Sequence, residues 1–287
     1  LLLRPIASDI LLVDTDDLRL RAQVQDLSDA AFLSNTKIRP STPVEAGQCN
    51  IIVITAGAKS RDGKSRRNLI DRNYLVLDNV IREMSPIRKD AVLLLVSNPV
   101  DVLAYFAQKM SGLPHAQVIG SGTFLDSVRL RSALADQVQV ADTAVHAYVL
   151  GEHGDSQMAA WSTATVGGSP VQNFLSSTCP SLSDLANSAK TKAYSIIAAK
   201  GATAYGIASI VSSICESIIL NQRHVRPVSH WIESLETYIS LPAVLGHGGV
   251  QKTIEVPLDE TEKELLQKSV EEIRSNIRTV EEGEQYQ

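Results

Sequence analysis

The sequence predicts an α/β fold: a doubly wound parallel sheet, followed by a second α+β domain. Three features carry this reading. Short apolar runs recur at Asp9-Ile10-Leu11-Leu12-Val13-Asp14, Asn50–Thr55, Ala91–Val96 and Val118-Ile119-Gly120. Stretches with helical periodicity separate them, and strands apolar on both faces belong to a parallel sheet covered on both sides. Beyond Gly120 the pattern changes, with strand-like pieces at Ala144–Leu150 and Thr237–Leu245 flanking a long helical region, Leu182 to Asn221. Two domains are expected, residues 1–120 and 121–287, meeting near Gly120.

The elements follow in order. A helix is expected from Leu18 to Phe32, a strand at Thr36–Arg39, and a fully apolar strand at Asn50–Thr55 closed by Ala56-Gly57-Ala58. Lys59 to Arg67 is charged and glycine-containing, which reads as a solvated loop. A helix follows from Asn68 to Met84, then the strand Ala91–Val96, closed by Ser97-Asn98-Pro99, and a helix to Met110. From Asp259 the tail is helical. Asp259 and Glu262 form a capping box, and Leu266, Val270, Ile273 and Ile277 form one apolar stripe.

Composition narrows the function. The chain has 287 residues, 44 % of them hydrophobic, and a net charge of −5. That is enough for a large core, and mild acidity argues against nucleic acid or an anionic membrane as partner. Three cysteines, Cys49, Cys179 and Cys215, stand far apart without metal-ligand spacing. No metal is expected, and the sparse thiols point to a reducing, cytoplasmic setting. Cys49 and Cys215 lie in apolar stretches and read as core. No apolar run is long enough to span a bilayer.

The second domain is organised around Val149-Leu150-Gly151-Glu152-His153-Gly154-Asp155-Ser156. An apolar β-prone run leads in and another leads out through Trp161, so His153 sits on a tight loop between two short strands. Glycine on either side lets the backbone turn and leaves the imidazole facing a cleft. Histidine both gives and takes a proton near neutral pH. Asp126 and Arg129 are three apart and share one helix face. An acid can orient a histidine and stabilise its protonated form, and an arginine can grip a carboxylate with two parallel hydrogen bonds. Each alone reads equally well as surface chemistry. So does Arg66 at the end of its charged loop, and Asn98 as a turn residue before proline.

Together these residues resemble the L-lactate/malate dehydrogenase family, over essentially the whole chain. The motifs are Ile54-Thr55-Ala56-Gly57-Ala58, Asn68 to Asn73, Val96-Ser97-Asn98-Pro99-Val100-Asp101, Ile119 to Arg131, Leu150 to Ser156, and Lys200-Gly201-Ala202-Thr203. Gly120-Ser121-Gly122-Thr123, with Leu125-Asp126-Ser127, is more similar to the lactate branch than to the malate branch. The resemblance implies a Rossmann-type first domain, NAD as cofactor, and a small 2-keto or 2-hydroxy acid as substrate. It implies His153 as proton donor for pyruvate reduction, Asp126 as its orienting acid, Arg129 on the substrate carboxylate, and Arg66 polarising the carbonyl from a closing loop. Asn98 would hold the substrate oxygen and the nicotinamide edge, Thr203 and Ser60 would line the substrate pocket, and Ala56 and Gly57 would border the cofactor. Asp14 would meet the adenosine ribose hydroxyls; with Asp16 and Asp17 following, a 2′-phosphate is repelled and NAD is favoured over NADP.

The family's first strand and its glycine-rich phosphate loop do not precede Asp9. Without that strand two edges inside the sheet lose their partner, so the sequence is expected to belong to a longer gene product. A non-catalytic, dehydrogenase-like domain is the rival reading from another class. Substrate choice also stays open at this point. Ser60 stands where the lactate branch has glutamine and the malate branch arginine, with Arg61 one place later. Pyruvate is the expected substrate, with a malate dehydrogenase or a broad-specificity 2-hydroxy-acid dehydrogenase as alternatives. The resemblance further implies a homo-oligomer, dimer or tetramer, and a fructose 1,6-bisphosphate site at Arg131 and His146.

Overall fold

The computed structural model describes residues 1–2, 6–58, 66–176 and 179–284. The first half runs β1 (Asp9–Leu12), α1 (Asp17–Ala30), β2 (Lys37–Pro40), α2 (Pro43–Ala46), β3 (Ile51–Ile54), α3 (Arg66–Met84), β4 (Val92–Leu95), α4 (Val100–Ser111) and β5 (Val118–Gly120). The second begins with α5 (Phe124–Val138) and the short strands β6 (Val145–His146), β7 (Val149–Leu150), β8 (Met158–Ala159), β9 (Thr165–Val166) and β10 (Ser169–Pro170). It continues through α6 (Leu182–Lys200), α7 (Tyr205–Ile219), β11 (His224–Ile232), β12 (Thr237–Gly246), β13 (Gly249–Thr253) and α8 (Glu260–Glu284).

One six-stranded sheet runs through both halves in the order β13-β12-β11-β5-β4-β3. β3, β4 and β5 are parallel, and β11 joins them antiparallel at the Ser229–Gly120 pair. β1 and β2 form a separate parallel pair. Among the described strands, β1 pairs only with β2, and β3 only with β4.

The wholly apolar β4 is buried at every position, because helices cover both faces. Its side chains alternate with the pleat. Leu93 and Leu95 join a core with Ile70, Leu77 and Ile81 of α3, Leu103 and Phe106 of α4, and Ile273 and Ile277 of α8. Val92 and Leu94 face the other way, onto Phe124 of α5 and Ile210, Ile214 and Ile218 of α7. Each fully buried leucine contributes about 2–3 kcal/mol relative to exposure.

Several boundaries differ from the sequence expectation. The solvated loop Lys59 to Arg67 falls mostly outside the described residues, but α3 takes in Arg66 and Arg67. Arginine propagates a helix well once an apolar stripe anchors it. The single helical region expected from Leu182 to Asn221 is two helices, because Gly201 takes a left-handed φ of +80° and caps α6. β11 escapes the sequence reading since Pro227 argues against a strand. The register places Pro227 opposite Pro242, so the two missing donors fall on one rung of the ladder. Cys215 is buried as expected, whereas Cys49 is only partly so. The capping box at α8 forms, Glu262 N–H donating to Asp259 Oδ1 at 2.8 Å and Asp259 N–H to Glu262 Oε2 at 3.2 Å.

Candidate active site

His153 sits between β7 and β8, on the strand–loop–strand that its sequence predicts. Its ring Nδ1 lies 2.7 Å from Asp126 Oδ2. The other carboxylate oxygen, Asp126 Oδ1, accepts from the Arg129 guanidinium at 3.3 Å. Asp126 is 2 % exposed, and the Arg129 side chain 10 %. Nε2 of His153 has no partner among the described residues.

Twenty-seven residues separate Asp126 from His153, and serine and threonine side chains close that distance. Val149 N–H donates to Ser127 Oγ at 2.9 Å, and the Thr123 hydroxyl donates to Val149 O at 2.5 Å. Both ties fasten the start of α5 to β7, the strand that feeds the histidine loop. Gly151 and Ser240 exchange backbone hydrogen bonds of 3.0 and 3.1 Å, fixing the loop to β12. Ser269 of α8, fully buried, accepts from Glu152 N–H at 2.8 Å and donates to Ser156 O at 2.9 Å. Lys190 of α6 reaches the Asp155 carbonyl at 2.7 Å.

This packing requires a glycine at 151 and leaves a side chain at 154 to compete with the Glu152 carboxylate. Gly151 has φ +94°, and a Cβ there would lie 2.5 Å from Ser269 Oγ. A Cβ on Gly154 would lie 2.7 Å from the Glu152 carboxyl carbon. Gly151→Ala is expected to destabilise the fold by about 1–3 kcal/mol and to lower turnover by displacing His153. Urea unfolding and steady-state kinetics check it; an unchanged midpoint with unchanged kcat would refute this role.

The electrostatics suit a proton relay. Burial opposes charge on His153, but Asp126's charge and hydrogen bond, and then Asp101's charge, outweigh burial and Arg129, so its pKa is raised. Burial likewise opposes charge on Asp126, yet the His153 ring and Arg129 hold the carboxyl below its usual value. The ring is therefore stabilised protonated and the acid ionised, as an acid–base pair requires.

Asp14, Ala56, Gly57 and Asn98 lie at the carboxyl ends of parallel strands, where open α/β sheets place ligands. Asp14 is exposed two residues beyond β1 and accepts from Asp16 N–H at 3.0 Å. Ala56 and Gly57 follow β3. Their loop is pinned by Ser97 Oγ donating to Ala56 O at 2.6 Å, and by Ala58 N–H donating to Asn73 Oδ1 at 2.5 Å. Asn73 Nδ2 in turn donates to Asn98 O at 2.6 Å, and Asn98 itself is exposed. Asp14 beyond β1 and Asn98 beyond β4 are thus an exposed carboxylate and an exposed amide, groups of the kind that ribose hydroxyls and a nicotinamide amide can pair with.

Not every expected residue converges. Thr203 is half-buried in the loop between α6 and α7, and is not a hydrogen-bond partner of His153, Asp126 or Arg129. Gly206 nearby packs on Leu125, so the loop runs beside the start of α5. Ser60 and Arg61 lie outside the described residues, as does the side chain of Arg66. Sequence reasoning missed Ser127, Asn73 and Ser269 as supports, and Asp101, whose Oδ2 accepts from His153 N–H at 2.8 Å. Ser269 carried one signal: it is a polar residue within the apolar stripe of α8.

Comparisons with known proteins place both halves of the chain in one family. Residues 1–120 match the family model described as lactate/malate dehydrogenase, NAD binding domain. Residues 123–284 match lactate/malate dehydrogenase, alpha/beta C-terminal domain. L-lactate dehydrogenase A of Rhizopus oryzae is 49 % identical over 280 residues, covering 96 % of this chain and 86 % of the relative. L-lactate dehydrogenase of Acetivibrio thermocellus is 36 % identical, covering 98 % and 92 %. A solved lactate dehydrogenase from a Medee basin deep-sea metagenome library superposes with a TM-score of 0.90 at 34 % identity, covering 96 % of this chain and 91 % of that one. The minor L-lactate dehydrogenase of Enterococcus mundtii gives 0.89 at 32 %, covering 96 % and 90 %. Both halves matched, and an acid-paired histidine held where the motifs put it, the chain belongs to the lactate/malate dehydrogenase family.

Proposed function

We propose that the chain is an NAD-dependent L-lactate dehydrogenase, interconverting pyruvate and L-lactate. The observation that carries this reading is the buried Asp126 carboxylate holding His153 on one oxygen and Arg129 on the other. In reduction, His153 Nε2 gives its proton to the carbonyl oxygen; in the reverse direction it takes the hydroxyl proton. Asp126 fixes the ring with Nδ1 as donor and balances the charge of the imidazolium. Arg129 grips the substrate carboxylate, and Arg66, at the start of α3, would polarise the carbonyl. When bound, the nicotinamide supplies or accepts the hydride. Asp14 would hold the ribose, Ala56 and Gly57 would border the cofactor, and Asn98 would hold the substrate oxygen and nicotinamide edge. Thr203 and Ser60 would line the substrate pocket.

The non-catalytic alternative fares worse, because a buried acid shared by a histidine and an arginine, on a loop tied in place, is the arrangement that proton transfer needs. The division into residues 1–120 and 121–287 has the two family matches on its side, although one sheet runs through both. A steady-state screen with NADH and pyruvate, oxaloacetate and branched 2-keto acids tests the assignment. Pyruvate is expected to give the highest kcat/KM. Ser60 is uncharged, and a second substrate carboxylate buried without a partner costs several kcal/mol. If oxaloacetate outpaces pyruvate, Arg61 is the reading residue and the activity is malate dehydrogenase; broad use of branched acids would favour the broad-specificity alternative.

Assembly as a homodimer or homotetramer is supported by apolar side chains at the surface of α6 and α7, Tyr194 at 63 % exposure and Tyr205 at 82 %. No described helix is long and apolar enough to cross a membrane. A cytoplasmic, glycolytic role follows from the proposed chemistry and the reduced cysteines. The fructose 1,6-bisphosphate site at Arg131 and His146 has mixed support. His146 is exposed, but Arg131 is committed to Ala147 O at 2.8 Å and stacks 5.0 Å from the Tyr148 ring. Burial first, and then the positive field of Arg131, lower the pKa of the Arg226 guanidinium, and an anion between the two cations would relieve that repulsion. Activity with and without the sugar bisphosphate decides the point.

A further inference from the structure

The first turn of α4 carries an acid that the proposed mechanism does not use. Asp101 is 1 % exposed and follows the Asn98-Pro99 turn beyond β4. Its Oδ2 accepts the backbone N–H of His153 at 2.8 Å, across 52 residues of sequence. Oδ1 faces the buried hydroxyl of Ser229, on β11, close enough to feel its dipole but short of hydrogen-bond geometry, and neither atom has another partner among the described residues. His153 thus stands between two buried acids: Asp126 from α5 grips the ring, and Asp101 from α4 grips the backbone.

We propose that Asp101 is a positioning residue that holds the His153 loop to α4 and lends the imidazole a second negative charge. This rests on the reading of His153 as the proton donor. The charged and polar groups facing Asp101 are His153, Glu152 from the same loop, and Ser229 from β11; Arg129 and Asp126 face it through His153.

The two acids differ in a way that makes the arrangement responsive to pH. Burial pushes the Asp101 carboxyl up to about 6, against the pull of Ser229, the His153 N–H and the His153 charge, with Glu152 adding to the rise. Asp126 is instead held below its usual value. Near neutral pH both are ionised and His153 is stabilised protonated. As pH falls through about 6, Asp101 takes up a proton, and its share of the stabilisation of charged His153 is lost. The pair then titrates as a coupled system rather than as two independent groups.

The test is the NMR titration of His153 in the intact chain, with histidine-selective labelling of the six histidines and assignment by His153→Asn. Wild type is expected to show two steps, with the lower one belonging to Asp101. Asp101→Asn keeps an oxygen for the His153 N–H but removes the charge. It is expected to abolish the lower step and to lower the His153 pKa by about half a unit to one unit. The alkaline limb of pyruvate reduction, which needs protonated His153, should move to lower pH by the same amount. Asp101→Ala removes charge and acceptor together, so it should lose more kcat than Asp101→Asn, which rescues the acceptor alone.

If Asp101→Asn does not fold, Ser229→Ala serves instead. Removing the hydroxyl that pulls Asp101 down should move the lower step upward. An unchanged His153 titration in Asp101→Asn, or an unmoved lower step in Ser229→Ala, overturns the proposal. The NMR readout needs no turnover. A two-step titration in a wild-type chain inactive on every 2-keto acid would support Asp101 and count against the dehydrogenase reading.

Discussion

Asp126→Asn is expected to lower kcat for pyruvate reduction by about 10³–10⁴-fold while leaving the fold in place. An asparagine is nearly isosteric, so Oδ1 can still accept from Arg129. What changes is the group 2.7 Å from His153 Nδ1. An amide nitrogen there donates, so the ring must present Nδ1 as acceptor and carry its proton on Nε2 as the neutral tautomer. The imidazolium loses its largest favourable partner, since Asp126's charge and hydrogen bond are what raise its pKa against burial. A raised His pKa means the protonated form is favoured at low pH and lost as pH rises through that pKa. Without Asp126, burial and Arg129 both press the pKa down, so the remaining reduction should be confined to more acid pH. Steady-state kinetics from acid to alkaline pH check both parts. A kcat within tenfold of wild type, or an unmoved alkaline limb, would refute Asp126 as the orienting acid.

The fold was legible where burial is symmetrical. Runs such as Val92–Leu95 have one solution, a central strand covered on both faces, and Val118–Gly120 matches residue for residue. β11 was hidden because Pro227 and four polar residues, His224, Arg226, Ser229 and His230, break its apolar pattern, and its partner Pro242 lies too far along the chain to be anticipated. The site divides in the same way. The histidine loop could be read locally, because glycines and β-prone flanks announce a turn. Its approach to Asp126 could not, since spacing does not encode the Ser127 and Thr123 ties to Val149; it came from the resemblance alone. Asp101 looks, in sequence, like an ordinary acid opening a helix. Only its packing against a loop 52 residues away gives it another role.

Arg129→Lys is expected to lower kcat/KM for pyruvate by about 10²–10³-fold, chiefly through KM. The Arg129 side chain is 10 % exposed and already spends one N–H on Asp126 Oδ1 at 3.3 Å. A planar guanidinium can do this and still present two parallel donors to a substrate carboxylate. A lysine ammonium is a point charge on a flexible stem, so it must choose between Asp126 and the substrate, and it matches neither bidentately. If it turns to Asp126, the substrate carboxylate loses its clamp and KM rises. If it turns to the substrate, Asp126 keeps only His153, and the pH profile moves instead. Measuring KM and kcat across pH separates the two outcomes, and both place Arg129 at the junction of substrate binding and the relay. A variant with near-normal kcat/KM and an unmoved profile would remove Arg129 from the site.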